Sequence, residues 1–338
     1  GDEHADHVFE LDHETWVGLA HDYESAPGIL YAARARCLRG RGIALVEWEP
    51  ALRALYHGRP IYDPERVCLE DRHGAPLDVE QVFSLDADPE EMAHFLRTAG
   101  YLFVREVFSP EETAGFLEEA EQLRGEARKG DKLSWWGRNA AGEEVLCRVT
   151  RAADKPRLAT LPGDPRLRRL RDLTDVQLVP RDGEGNGVTV IYKIPEMVEG
   201  LANLPWHRDC GMGGHAVMCP VLQASVFLTP GTPETGDLRM LPGSWQTTMP
   251  YLDASHARAP QGARFAARPG DVSLHYGDVM HAAPPPSRSD LGTYRISAVT
   301  GFARPGARPH GGARSYNEVL HGRDDGQIEH LEQVAKRL

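Results

Sequence analysis

A histidine and an aspartate stand two positions apart in Leu204-Pro205-Trp206-His207-Arg208-Asp209, just after the β-rich run Val188-Thr189-Val190-Ile191-Tyr192-Lys193. On an extended backbone, residues i and i+2 point to one face, so the His207 imidazole and the Asp209 carboxylate can converge on a single ion. A third ligand has to come from elsewhere. The candidates lie in Pro269-Gly270-Asp271-Val272-Ser273-Leu274-His275-Tyr276-Gly277-Asp278-Val279-Met280-His281, which offers both His275 and His281. Two histidines, one carboxylate and open coordination positions make the facial arrangement that suits non-haem Fe(II) and O₂. With a bound water, the same ligand types also describe catalytic zinc.

A second chemical feature lies fourteen residues after His281, in Tyr294-Arg295-Ile296-Ser297-Ala298-Val299. Arg295 interrupts a run of β-forming residues, and a buried guanidinium is costly without an anionic partner. A carboxylate held through two parallel N–H···O bonds would satisfy it. Other candidates concern a substrate. Trp135 and Trp136 sit between glycines in a stretch that reads as irregular, Lys132 to Arg151, and would suit a lid if they stand exposed on a loop. His215 follows the metal stretch, in a loop opened by Gly211-Met212-Gly213-Gly214. Cys210, next to Asp209, points to the opposite face of an extended chain and reads as structural.

The elements that must position these groups are legible in outline. Residues 1–87 read as a mixed extension packing on the core, with a helix over Tyr31–Leu38 stopped by Gly40 and Gly42. Pro89 to Leu96 suits a helix ending before Gly100, and Tyr101-Leu102-Phe103-Val104 a buried strand. Ser109-Pro110-Glu111-Glu112 supplies an N-cap, a first-turn proline and acids at the positive helix end. The helix that follows carries Ala114, Phe116, Leu117, Ala120 and Leu123 as an apolar stripe. Arg166-Leu167-Arg168-Arg169-Leu170-Arg171 reads as a helix with a solvated cationic face. Further on come Val221–Leu228, Leu238–Leu241, Val272–Tyr276 and Tyr294–Phe302, short β-like runs separated by Gly/Pro turns. Such a pattern, late in the chain and after helices, predicts a mainly β fold of the sandwich or jelly-roll kind with flanking helices. Residues 306–338 form a Pro/Gly-rich, then polar tail, helical at its end.

Composition limits the function classes. With 38 basic against 50 acidic residues, the formal charge is −12, so no excess of positive charge favours nucleic acid or an anionic membrane. Five cysteines without a CxxC pair suggest free thiols in a reducing interior. No apolar run approaches membrane-spanning length. The polar first residues lack the basic start and apolar core of a signal peptide. Together these lead to the expectation of a cytoplasmic protein, monomer or homodimer, acting on a small molecule.

The order of these segments resembles the phytanoyl-CoA dioxygenase (PhyH) family of Fe(II)/2-oxoglutarate oxygenases over residues 88–305. It runs from the helix-strand-helix of Phe95 to Ala120, through Lys193-Ile194-Pro195 and Trp206-His207-Arg208-Asp209. It continues through the connection from Leu228 to Pro242-Gly243-Ser244, then Gly270-Asp271, His281 and Arg295. The resemblance implies a double-stranded β-helix (jelly roll, cupin-like). It implies iron on His207, Asp209 and His281, with His281 preferred to His275, and Arg295 on the distal carboxylate of 2-oxoglutarate. Lys193, fourteen residues before His207, matches a lysine that in some relatives helps bind this co-substrate. Ser297, facing the same way as Arg295, could add a hydrogen bond. The implied reaction uses O₂ and 2-oxoglutarate, releases succinate and CO₂, and oxidises a C–H bond. Asp209 itself speaks against the halogenating branch, in which a small residue replaces this carboxylate. The Ala/Arg/Gly-rich composition suits a high-GC bacterium and a biosynthetic tailoring step. Two other readings remain beside this one: a zinc hydrolase on the same ligands, which leaves Arg295 unexplained, and a β-barrel binding module without catalysis.

Overall fold

The computed structural model describes residues 4–181, 187–199, 204–209, 221–249, 260–306 and 331–337. Their strands are β1 (Val8–Leu11), β2 (Ala35–Arg39), β3 (Val82–Ser84), β4 (Tyr101–Arg105), β5 (Ser134–Asn139), β6 (Glu144–Val149), β7 (Val179–Pro180) and β8 (Val188–Tyr192). They continue with β9 (Met197–Glu199), β10 (Leu204–His207), β11 (Leu222–Phe227), β12 (Arg239–Met240), β13 (Ala263–Arg264), β14 (Val272–Tyr276), β15 (His281–Ala283) and β16 (Ile296–Ala303). The helices are α1 (His13–Ala20), α2 (Ala26–Tyr31), α3 (Ala44–His57), α4 (Pro89–Ala99), α5 (Pro110–Glu126), α6 (Pro165–Arg171) and α7 (Leu331–Ala335).

Two facing sheets hold the site. In the large one, β14, β11, β16 and β8 are successive neighbours, and the small one runs β10-β15-β12-β13. From β8 to β16 the chain passes back and forth between them, which makes a double-stranded β-helix. The pairing β8–β16–β11–β14 is antiparallel throughout. Directly paired residues share a face, so the register divides the large sheet cleanly. Val190, Tyr192, Leu222, Ala224, Val226, Leu274 and Ala298 form the outer face and belong to the main core with α4, α5 and α6. The Tyr192 hydroxyl donates to Ala120 O of α5 at 2.5 Å. The inner face carries Thr189, Gln223, Ser225, Ser273, His275 and Ser297, and looks toward the small sheet.

Local chemistry explains the elements that frame this core. Ser109 caps α5 in a full capping box with Glu112, satisfying two otherwise orphaned N–H groups. Gly100 ends α4 in the left-handed region, and β4 follows at once. On α5, Phe116, Ala120 and Leu123 are buried as expected, whereas Ala114 is exposed and Glu119 takes a buried place. Glu119 is satisfied there by the backbone N–H groups of Arg157 and Leu158. In α6, Leu167 and Leu170 are buried and Arg166 pairs with Glu112 and Asp164.

Two expectations are corrected. The helix read over Tyr31–Leu38 is absent: α2 stops at Tyr31 and Ala35–Arg39 is strand β2, paired with β1. Helix propensity is a weak prior, and cross-strand pairing overrides it here. The stretch Lys132 to Arg151 is no irregular loop but the hairpin β5–β6, which extends the large sheet through β6–β8. Trp135 is buried with Cys147 and Met197, and Trp136 packs on the main core. Neither stands exposed on a lid.

The N-terminal helices make a core of their own, in which Leu19, Ile29, Leu30, Leu45 and Leu52 pack with Leu331 and Ala335 of α7. The segment after α3 reaches the double-stranded β-helix, where Tyr62 N donates to Thr248 O at 2.9 Å and Arg59 pairs with Asp278 at 3.3 Å. Among the described residues, no helix is long and apolar enough to cross a membrane.

Candidate metal centre and its cationic neighbours

His207 ends β10 and lies directly across from His281, the first residue of β15. Asp209 follows two residues after His207. Each of the three can offer a ligand atom such that all lie within 4.8 Å of one another. The Asp209 Oδ1 atom is 3.8 Å from His207 Nε2 and 3.6 Å from His281 Nε2. The His281 Nδ1 atom is 3.0 Å from Val279 O. A carbonyl only accepts, so Nδ1 holds the proton and Nε2 keeps its lone pair for a metal, the usual support of a ligating histidine. Burial alone would raise the Asp209 carboxyl, but the surrounding histidines, His281 foremost, outweigh it and hold the group well below the usual carboxylate range.

Burial above all, with His207 adding to it, pulls the His281 imidazole well below its ordinary 6.5. Unfolded, this group binds a proton more readily than it does folded, so acidification favours unfolding. Metal-free protein should lose stability as pH falls through 6.5, and His281→Asn should lose less. Melting midpoints at about pH 7.5 and about pH 5.5 measure this; equal losses in the two proteins would contradict it.

Arg295 stands immediately before β16, with its guanidinium buried. Its NH1 atom donates to Asp237 O at 3.3 Å, while its Nε finds no partner among the described residues. Burial lowers its pKa to about 10, with Asp237 opposing. The connection from Thr229 to Asp237 is built around this arginine. Thr235 O accepts from Arg295 N at 2.8 Å, and Thr229 Oγ1 accepts from Ile296 N at 2.6 Å. At Gly231 a side chain would clash with the Phe227 ring at 2.8 Å and press on Arg295 Cδ at 3.3 Å, so glycine lets the connection pass close to both. Lys193 comes next to it across the sheet, its N donating to Arg295 O at 2.9 Å. The Lys193 ammonium is buried and reaches over to Ala283 O on β15. Burial first, then Arg295, pulls its pKa well down. Two buried basic side chains thus lie near Asp237, a carboxylate already engaged by Arg239 at 3.1 Å. Ser297 lies on the same inner face, two residues on.

Three further features of this region had no role assigned from the sequence. Arg208, between the two ligands, is buried and donates to Thr247 O at 2.6 Å; burial lowers its pKa to about 10. Gly270 and Asp271 prove structural. Gly270 has φ 91° and sits where a Cβ would be 2.4 Å from Phe108 O. Asp271 accepts from Glu106 N and Arg268 N. The polar inner row of Gln223, Ser225 and Ser273 was available as a signal, because each alternates with apolar neighbours at the period of a strand. His215 and Cys210 lie outside the described residues.

Residues 96–290, more than half of the chain, match the family Phytanoyl-CoA dioxygenase (PhyH). The chain belongs to the phytanoyl-CoA dioxygenase family. The match falls inside the 88–305 expected from the sequence and ends five residues before Arg295. Several solved structures share the fold. AviO1 from Streptomyces viridochromogenes Tue57 is 24% identical with a TM-score of 0.51, over 66% of this chain and 97% of its own. EctD from S. alaskensis, solved with 2-oxoglutarate and 5-hydroxyectoine, is 21% identical with a TM-score of 0.54, over 77% and 89%. SnoN, a non-heme alpha ketoglutarate dependent epimerase from nogalamycin biosynthesis, is 22% identical with a TM-score of 0.52, over 66% and 86%. No curated protein sequence matches. At these identities the structural likeness speaks for the fold, and it agrees with the phytanoyl-CoA dioxygenase assignment. The family and the double-stranded β-helix expected from the sequence are both borne out.

Proposed function

We propose that this chain is an Fe(II)/2-oxoglutarate-dependent dioxygenase that oxidises a C–H bond of a small organic molecule, releasing succinate and CO₂. The observation that carries the reading is the joint presence of a compact His/Asp/His set and, on the facing sheet, the buried Arg295 guanidinium with the buried Lys193 amine beside it. The donor set fits ferrous iron, being two imidazole nitrogens and one carboxylate oxygen. Bound there, iron would supply O₂ activation coupled to oxidative decarboxylation of 2-oxoglutarate.

The roles of the chain's own residues follow. His207, Asp209 and His281 hold the metal. Arg295, its Nε without a partner among the described residues, binds the distal carboxylate of 2-oxoglutarate, and the Lys193 amine lies beside it as a further donor. Ser297 supplies a hydroxyl to the same pocket. A buried guanidinium that already exists before the ligand arrives costs no reorganisation on binding. Trp135 and Trp136 take no substrate role in this reading. We read residues 88–305 as the catalytic unit and residues 1–87 as its support. Asp209 favours oxygenation such as hydroxylation over halogen transfer, and a biosynthetic tailoring step remains the substrate context that the composition suggests.

Anaerobic titration with Fe(II), with and without 2-oxoglutarate, tests the proposal. A weak visible charge-transfer band requiring both is expected, followed by succinate release in air. Tight zinc with no such band would move the reading to a hydrolase, and binding of neither metal would leave a non-catalytic module.

A further inference from the structure

His275 competes with His281 in the sequence but has a different place in the fold. It belongs to β14 of the large sheet, opposite Gln223 on β11 and Tyr101 on β4, and is 4% exposed. Its ring packs on that of His281 with centroids 4.6 Å apart, yet its nitrogen meets the other side of the carboxylate. His275 Nε2 is 3.3 Å from Asp209 Oδ2, whereas Asp209 Oδ1 is the oxygen that faces His207 and His281. The two oxygens therefore have separate surroundings. A carboxylate can only accept, so the proton of a neutral His275 must sit on Nε2; its Nδ1 has no partner among the described residues.

Asp209 needs such a partner. It lies beyond the last ladder residue of β10, and a third of its side chain is exposed, so among the described residues the ladder does not hold it and a hydrogen bond can set its rotamer. A carboxylate left free to turn can chelate a metal with both oxygens and occupy a position that the co-substrate or O₂ requires. Resting on the reading of this site as an iron centre, we propose that His275 is a positioning residue. Its Nε2–H holds Asp209 Oδ2, so that Oδ1 alone is presented to the metal.

The test uses the full chain, Fe(II) and 2-oxoglutarate under anaerobic conditions, with His275→Phe (ring without donor) and His275→Gln (donor without ring). Folding is checked by circular dichroism, and His275→Leu replaces the Phe variant if that one fails to fold. The donor-less variant is expected to bind Fe(II) about 10- to 100-fold more weakly and to show a displaced charge-transfer band. His275→Gln is expected to recover affinity to within about threefold of the parent protein and to restore the band. Parental affinity and an unshifted band in the donor-less variant would overturn the proposal, as would a folded Gln variant no better than it. If His281→Ala keeps iron while both His275 variants lose it entirely, His275 is a ligand and the positioning role is wrong. A parent protein that binds no Fe(II) would overturn the iron centre itself, an outcome distinct from the other three.

Discussion

Asp209→Ala is expected to abolish turnover while leaving the protein folded. The carboxylate is the only anion of the three-residue set, and without it two neutral imidazoles must hold a dication alone. The loss in Fe(II) affinity should exceed the roughly 10- to 100-fold that removal of a ligand's hydrogen-bond partner costs. The fold has little reason to fail. Asp209 makes no ladder contact in β10, and a third of its side chain is exposed, so its contact with His275 is screened and contributes modestly. The melting midpoint of the metal-free variant should stay within a few degrees of the parent. The decisive contrast is that Fe(II) and 2-oxoglutarate raise the parent's midpoint and not the variant's, because only binding to the native state stabilises. Full activity in the variant would end the iron assignment.

How much of this site could be read beforehand depended on whether the signal was local. The pairing of His207 with Asp209 follows from the two-residue period of a strand, and the structure places both beside His281. The choice between His275 and His281 was not local. The two differ by an even number of positions, and what separates them is the turn at Gly277-Asp278 that moves the chain from the large sheet to the small one. Arg295 announced itself as a charge in an otherwise apolar strand, a conflict expected at functional sites. Helix α3 went unread because Pro50 lies inside it, where proline normally breaks the pattern. The β5–β6 hairpin was hidden by its register shift between Trp135 and Trp136, which spoils the alternation that a strand reading depends on. Arg208 gave no signal because its acceptor is the distant Thr247 carbonyl and the charges that act on it, Arg53 and Arg59 against it and Asp278 and Glu49 for it, are all brought near by tertiary structure.

Arg295→Met should separate binding from folding. In the metal-free protein the guanidinium is buried, burial lowers its pKa to about 10, and its Nε has no partner among the described residues, so the charge is a cost borne before the co-substrate arrives. Methionine fills similar space without that cost, and replacing a buried, incompletely paired charge by an apolar group is often neutral or stabilising. The metal-free variant should therefore melt at or above the parent temperature. Co-substrate binding should move the other way. Hydrogen bonds to a charged group contribute about 1.5–3 kcal/mol, so losing the guanidinium's grip on a carboxylate should raise the 2-oxoglutarate KM on the order of 100-fold. The distal carboxylate lies away from the reacting atoms and is held alike throughout the reaction, so kcat at saturating co-substrate should change far less than KM. Lys193→Met should give a smaller rise, because Arg295 remains. An unchanged KM in Arg295→Met would refute its assignment. A variant both less stable and unchanged in KM would instead make Arg295 a structural residue held by the Asp237 carbonyl, to which its guanidinium donates.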